Sequence, residues 1–230
     1  MAGASAHPGP VGQAPTRLDL LVWAGKPVFC GGPGKRVFAL TFDDGPSPWT
    51  EGLVAALRRD HARATFFLVG DRVRLWHSAA LAAAAAGAVG NHTWTHPLLT
   101  SLPRRRIRLE LVSTGHELHT LGADTRLFRP PYDRSNPRVR AVVHSLGLLD
   151  VRWNVDSGDS RRGARPGPVA REVVHDLKPG AIVLMHDSHP WTGRVVRAVL
   201  AAARRRHLRP VTVPRLLELD PPVPGHSCYA

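Results

Sequence analysis

The chain has 230 residues, 43% of them hydrophobic, and a formal net charge of +13 from 31 basic and 18 acidic residues. That length suits one domain with a proper core, and this hydrophobic share excludes a largely disordered polyampholyte. Apart from Lys26, Lys35 and Lys178 the basic residues are all arginine. Their clusters at 104–106, 161–165 and 204–206 lack interleaved aromatics and match no nucleic-acid module. The charge therefore reads as a solvated surface or as attraction to an anionic polymer, not to nucleic acid. The longest apolar run, Ser78–Gly90, is about 13 residues and too short to span a bilayer.

In chain order, residues 1–17 are rich in Gly, Pro and Ala and are expected to be disordered, with no visible signal-peptide pattern. Residues 18–219 are expected to form the domain and 220–230 a tail. Apolar runs predict strands at Val37–Thr41, Thr65–Val69, Ala88–Gly90, Leu127–Arg129, Leu148–Val151, Ala181–Met185 and Pro210–Val213. Helical patterns lie between them, at Thr50–Arg59, Val73–Ala86, Pro103–Leu121, Pro137–Leu146, Pro168–Asp176 and Thr192–Arg206, with a last short helix at Pro214–Leu219. Gly87 reads as a helix C-cap, and Pro103, Pro137 and Pro168 as first-turn prolines. Seven strand–helix repeats predict an α/β fold, a distorted (β/α)7–8 barrel in a single domain. Cys30 and Cys228 either pair, joining the two ends of the chain, or remain free thiols.

Reactive polar residues gather just past the predicted strand ends: Asp43 and Asp44, His92 and His96, Arg129 and Tyr132, Asp156 and Asp159, His186 and Asp187. In a parallel barrel those ends form one rim, where active sites are built. Two adjacent carboxylates at the end of an apolar strand are costly unless a cation neutralises them. His92 and His96, four apart, can face one way from a helical turn. Two imidazoles with one carboxylate suit a catalytic divalent metal that keeps open positions. Such a metal activates water and polarises a carbonyl. One Asp of the pair can ligate while the other serves as base, and His186 is placed to be the acid.

Five segments in order resemble carbohydrate esterase family 4, the polysaccharide deacetylases: Thr41–Pro46 (TFDDGP), His92–His96 (HTWTH), Arg129–Tyr132 (RPPY), Trp153 with Asp156–Asp159, and Leu184–His186 (LMH). The resemblance spans about residues 36–217. It implies one divalent ion, zinc or cobalt among the options, on Asp44, His92 and His96. It further implies Asp43 as base, His186 as acid and the Tyr132 N–H as an oxyanion donor. Arg129 would hold Asp43, Asp159 would pair with Arg129 or tune His186, and Leu184 would line the acetyl pocket. Two positions depart from the family pattern, Asp133 where it has Gly and Ser160 where it has Trp, so Trp191, Trp94 or Trp49 is expected to supply stacking surface. The expected partner is an acetylated polysaccharide, the expected state a monomer, and the expected location secreted or wall-associated, with the cytoplasm as alternative. The competing functional reading is a catalytically inactive carbohydrate-binding domain of the same fold.

Overall fold

The computed structural model describes residues 14–123, 126–222 and Cys228. Residues 1–13 of the expected N-terminal segment and most of 223–230 lie outside them. Eight parallel strands form one curled sheet: β1 Val37–Gly45, β2 Ala64–Leu68, β3 Gly87–Asn91, β4 Leu127–Phe128, β5 Leu149–Asp150, β6 Val155–Asp156, β7 Ile182–His186 and β8 Arg209–Val211. The order is β5-β4-β3-β2-β1-β7-β6, with β8 paired to the start of β1. Among the described residues no ladder joins β5 to β6, so the barrel is open there. Helices α1 Arg17–Ala24, α2 Thr50–Arg59, α3 Gly70–Leu75, α4 His77–Ala86, α5 Arg104–Thr120, α6 Pro137–Ser145, α7 Pro166–Asp176, α8 Thr192–Arg205 and α9 Val213–Leu219 complete the chain.

Most predicted elements are present within a few residues of their expected bounds, and four readings change. The single helix expected at Val73–Ala86 is two helices, broken at Trp76. The strand β6 has only two residues, too few to leave an alternation pattern. A helix absent from the reading, α1, is opened by a capping box in which Thr16 and Asp19 satisfy each other's backbone N–H groups. Residues 14–17 thus belong to a structured helix start.

The fourth concerns Gly87, which does cap α4, its N–H donating to the Ala84 carbonyl, but with an extended φ of −178° in place of a left-handed one. Gly is required there because a Cβ would lie 1.8 Å from the carbonyl oxygen of Ala64, its partner in the β2–β3 ladder. Gly87→Ala is expected to destabilise the chain by about 3 kcal/mol, measured as a fall in the urea midpoint at unchanged slope; an unchanged midpoint would show that the strands can part at no cost.

Strand alternation sorts the core. In β1, Phe38, Leu40 and Phe42 face outward into the layer shared with α2, α7 and α8. Val37 and Ala39 face the barrel interior with Phe67, Leu127, Leu149 and Ile182. Phe128 packs outward against α5 and α6. The expected tail is tied to the body at two points. Gly32 donates its N–H to the Asp220 carbonyl at 2.7 Å and Lys35 its N–H to the Asp220 carboxylate at 2.6 Å. Cys30 and Cys228 form a disulfide with a Cα–Cα distance of 4.9 Å. No described helix is long and apolar enough to cross a membrane.

Candidate functional site

The interior phase of each strand, continued to its C-terminal end, delivers the site. In β1 residues 37, 39 and 41 point inward, so Asp43 does too. Thr41, fully buried, donates to the Val183 carbonyl at 2.6 Å and accepts from Arg129 at 2.8 Å. Leu127 points inward, so Arg129 follows. Ile182 points inward, then Leu184, then His186. Asp44 is out of phase and would face the helices, but it adopts a left-handed φ of 67°, which turns its carboxylate back to the rim. Among the described residues seven non-glycine residues have positive φ, and five of them, Asp44, Thr93, His96, Tyr132 and Asp133, belong to this rim. Such conformations persist only where surrounding contacts over-determine them, and they gather at functional sites.

Those contacts are visible. Glu110 on α5, 8% exposed, accepts from the backbone N–H groups of Trp94 and Thr95, both at 2.8 Å, and from the Thr95 hydroxyl at 3.0 Å. The His96 N–H donates to the Thr93 hydroxyl at 3.1 Å. The 92–96 segment is therefore a loop pinned by a buried carboxylate, not the helical turn its spacing suggested. The two imidazoles converge because Thr93 and His96 are left-handed.

At the centre, Asp44 Oδ1 lies 3.5 Å from His92 Nε2 and 3.1 Å from His96 Nε2. One ligand atom from each of the three lies within 4.8 Å of the others. His92 Nδ1–H donates to the Arg129 carbonyl at 2.7 Å, which leaves the Nε2 lone pair facing inward. A ring fixed through its other nitrogen is how metal-bound histidines are oriented. Three converging lone-pair donors, one of them anionic, fit a divalent cation. Burial pushes the Asp44 carboxyl up, but the two imidazoles more than offset this and hold it well below the usual carboxylate range.

Beside this cluster, Arg129 is 0% exposed. Its Nη1 donates to Asp43 Oδ1 at 2.7 Å, and its other N–H groups reach the carbonyls of Val151 at 2.9 Å and Arg152 at 3.1 Å. These carbonyls belong to the segment between β5 and β6, so the buried guanidinium satisfies backbone left unpaired where the barrel fails to close. It also lies 4.1 Å from the Phe67 ring centroid and 5.3 Å from that of Trp153. Across the cavity, His186 Nδ1–H donates to Asp159 Oδ1 at 2.6 Å, and the His186 backbone N–H donates to Oδ2 at 2.7 Å. Burial disfavours the imidazolium, but Asp159 more than offsets it, aided by Asp43 and Asp44, and the His186 pKa is pushed up to about 9. Asp159 thus serves His186, not Arg129. A cavity of about 460 Å³ connects these groups and is lined by Asp43, Asp44, His92, His96, Leu184 and His186, with Tyr132, Trp153, Asp156, Ser160 and His189 around them.

A sequence model described as polysaccharide deacetylase matches residues 31–151, just over half of the chain. The chain belongs to the polysaccharide deacetylase family, carbohydrate esterase family 4. A curated relative, a chitooligosaccharide deacetylase of Azorhizobium caulinodans, is 34% identical over 176 residues, covering 72% of this chain and 83% of the relative. The first curated relatives are longer, and the chain spans 26% to 39% of their length. Among solved structures, the Bc1960 peptidoglycan N-acetylglucosamine deacetylase superposes with a TM-score of 0.77 at 27% identity, over 83% of this chain and 92% of that one. BA3943 from Bacillus anthracis, described as a pseudoenzyme of the family, superposes at 0.75 with 26% identity, over 83% and 68% of the two chains.

Within this deacetylase fold the two departures have local explanations. Asp133 has φ 55°, which explains why Gly suits the position. Asp tolerates it, and its side chain ion-pairs with Arg152, itself held by Asp150 at 2.6 Å. Ser160 lines the cavity, so no aromatic ring stands at that position. The tryptophan that does line the cavity is Trp153. Trp191 does not line it; it stacks on His189 with centroids 4.3 Å apart and planes at 9°, and packs against the core. Tyr132 is 61% exposed and meets His96 edge-on at 4.7 Å. Trp94 lies under α3, where a Cβ on Gly70 would meet its ring at 2.4 Å.

Four residues given no role in the sequence reading now have positions: Trp153 and His189 on the cavity wall, Glu110 behind the His92–His96 loop, and Asp187. The Asp187 carboxylate accepts from Ser47 at 3.2 Å and from Thr50, and its N–H donates to the Asp43 carbonyl at 2.9 Å. Burial pushes its pKa up to about 7. Asp187 was legible only as one of the polar residues past a strand end; nothing in the sequence singled out Glu110.

Proposed function

We propose that this chain is a metal-dependent deacetylase that hydrolyses acetyl groups on a polysaccharide. The observation that carries the reading is one cavity holding an Asp/His/His cluster between an arginine-held Asp43 and an aspartate-held His186. Asp44, His92 and His96 would hold the ion, proposed as zinc, with cobalt able to replace it. When bound, such an ion lowers the pKa of a water and polarises the acetyl carbonyl. Asp43 takes the proton from the attacking water. Arg129 keeps that carboxylate aimed by a charge-assisted bond. The Tyr132 N–H donates to the developing oxyanion. Leu184, at the cavity floor, accepts the acetyl methyl. His186, protonated at neutral pH, gives its proton to the leaving nitrogen or oxygen. Acetate and a free amine or hydroxyl result.

The favoured substrate is an N-acetylglucosamine polymer such as peptidoglycan or chitin, with acetylxylan as the alternative. The basic charge supports an anionic wall polymer, and the disulfide supports a secreted or wall-associated location. We take the chain to act as a monomer. The family's pseudoenzyme motivates a second reading, a glycan-binding domain without turnover.

Acetate release from acetylated chito-oligosaccharides and acetylxylan separates the two. We expect release that stops on thorough chelation and returns with added zinc. Activity that survives chelation would remove the metal from the mechanism, and glycan binding with no acetate from any substrate would favour the second reading.

A further inference from the structure

A second groove adjoins the reaction cavity at His189, and no role above uses it. It runs between α2 and α8, has a volume of about 270 Å³, and shares His189 with the reaction cavity. Its floor is small because the helices cross closely there: a Cβ on Gly193 would lie 3.3 Å from Ala56 and 3.4 Å from the Gly52 carbonyl. Trp49 lines the groove, 44% exposed although it is one of the largest apolar side chains on the surface. Its backbone is tied to the residues beneath the site, because the Trp49 main-chain N–H donates to the Ser47 hydroxyl at 3.0 Å and Ser47 donates to buried Asp187. Arg59, Arg194 and Arg197 line the rest and are exposed. No acidic side chain lines the groove. Among the described residues none of these three guanidiniums has an ion-pair partner, whereas Arg204, further along α8, pairs with Asp60 at 2.6 Å.

An exposed indole presents a flat face of the kind that sugar rings stack on. Unpaired guanidiniums beside it present forked donors matched to a carboxylate. The geometry points to a subsite on Trp49, Arg194 and Arg197 that binds a carboxylate-bearing sugar of the same glycan strand whose acetyl group sits at the Asp44–His92–His96 cluster. The inference deepens the deacetylase reading and rests on it for the direction of the strand: from the reaction cavity, past His189, into the groove. It assigns the basic charge of α8 a job, the selection of acidic over neutral glycans. Gly52 lines the groove, and a Cβ added there would meet nothing within 4 Å.

The test is equilibrium binding, by calorimetry, of an alternating N-acetylglucosamine–N-acetylmuramic acid hexasaccharide and of the same strand with its carboxyls converted to primary amides. The wild-type chain, loaded with zinc, is expected to bind the carboxylated strand about tenfold tighter, since two exposed ion pairs each contribute about threefold. The preference should shrink as salt rises past the range where the Debye length falls below about 10 Å. Arg194→Ala/Arg197→Ala is expected to bring the ratio to about one, and Gly52→Phe to weaken both strands by filling the groove. A wild-type ratio near one, or a ratio that the double variant leaves unchanged, overturns the subsite. Acetate assays on the two strands report separately on the deacetylase reading: no acetate from either sinks that reading, and the binding ratio still decides this one.

Discussion

Asp43→Asn is expected to lower kcat for acetate release by about 10³-fold while leaving one zinc bound per chain. The amide cannot take a proton from water, so the base is lost. The three proposed ligands are other residues, and none depends on Asp43 for its orientation: His92 is held by the Arg129 carbonyl, His96 by its loop, and Asp44 by its own left-handed turn. The substitution has a second effect. Arg129 is wholly buried, and Asp43 is the carboxylate it bonds. An amide oxygen can still accept from Nη1, but the counter-charge is gone, and leaving a buried charge unpaired costs about 3 kcal/mol. Kinetics must therefore be read beside a urea titration and a zinc determination on the same preparation. A folded, zinc-loaded Asp43→Asn chain with wild-type kcat would reject the base assignment. A folded chain that had lost its zinc would instead place Asp43, 3.8 Å from His92 Nε2, among the ligands.

Asp159→Asn is expected to move the alkaline limb of kcat/KM from near pH 9 to near or below neutrality. His186 has two opposing influences. Burial alone would pull its pKa below the ordinary 6.5, and the Asp159 carboxylate, 2.6 Å from Nδ1, outweighs this. An amide removes the charge and leaves the burial. The acid would then be largely unprotonated at pH 7.5, with kcat/KM falling about 10²-fold there and recovering as pH is lowered. The same shift has a stability consequence with a definite sign. Because the folded pKa lies above the unfolded value, the His186–Asp159 pair contributes its full stability below about pH 6.5. That contribution is lost progressively as pH rises through about 9. Wild-type stability should fall across that window, and Asp159→Asn should lack the fall. NMR titration of the His186 ring reads the pKa directly; a value still near 9 in the variant would assign the shift to Asp43 and Asp44 and demote Asp159 to a structural partner.

Reading acid and base from two such pairs depends on where each pair sits, and much of that was written in the chain. The alternation of Val37, Ala39, Thr41 and Asp43 carries Asp43 inward as soon as β1 is recognised, and Ile182, Leu184 and His186 do the same for the acid. A parallel sheet then needs no further information to bring these strand ends to one rim. The five ordered segments likewise named every residue that meets at the Asp44–His92–His96 cluster. The departures at Asp133 and Ser160 were visible too, though not that Arg152 would hold the first.

What the chain did not disclose depends on contacts between residues distant in sequence. Left-handed backbone at Thr93 and His96 was not legible locally; it exists because Glu110 binds the N–H groups of Trp94 and Thr95 between them. Gly87 caps its helix as its sequence neighbours suggest, but what requires a glycine there is a carbonyl on β2. Asp159 could have served Arg129 or His186, and only the packing of β6 against β7 chose the histidine. Which tryptophan faces the cavity, Trp153 and not Trp191, follows from the open seam beside β6. Sequence by itself determined the fold class, the chemical inventory and its order along the chain, because period and strand phase are local properties. Tertiary structure decided partners, strained turns and the groove beyond His189, because these are set by which surfaces meet.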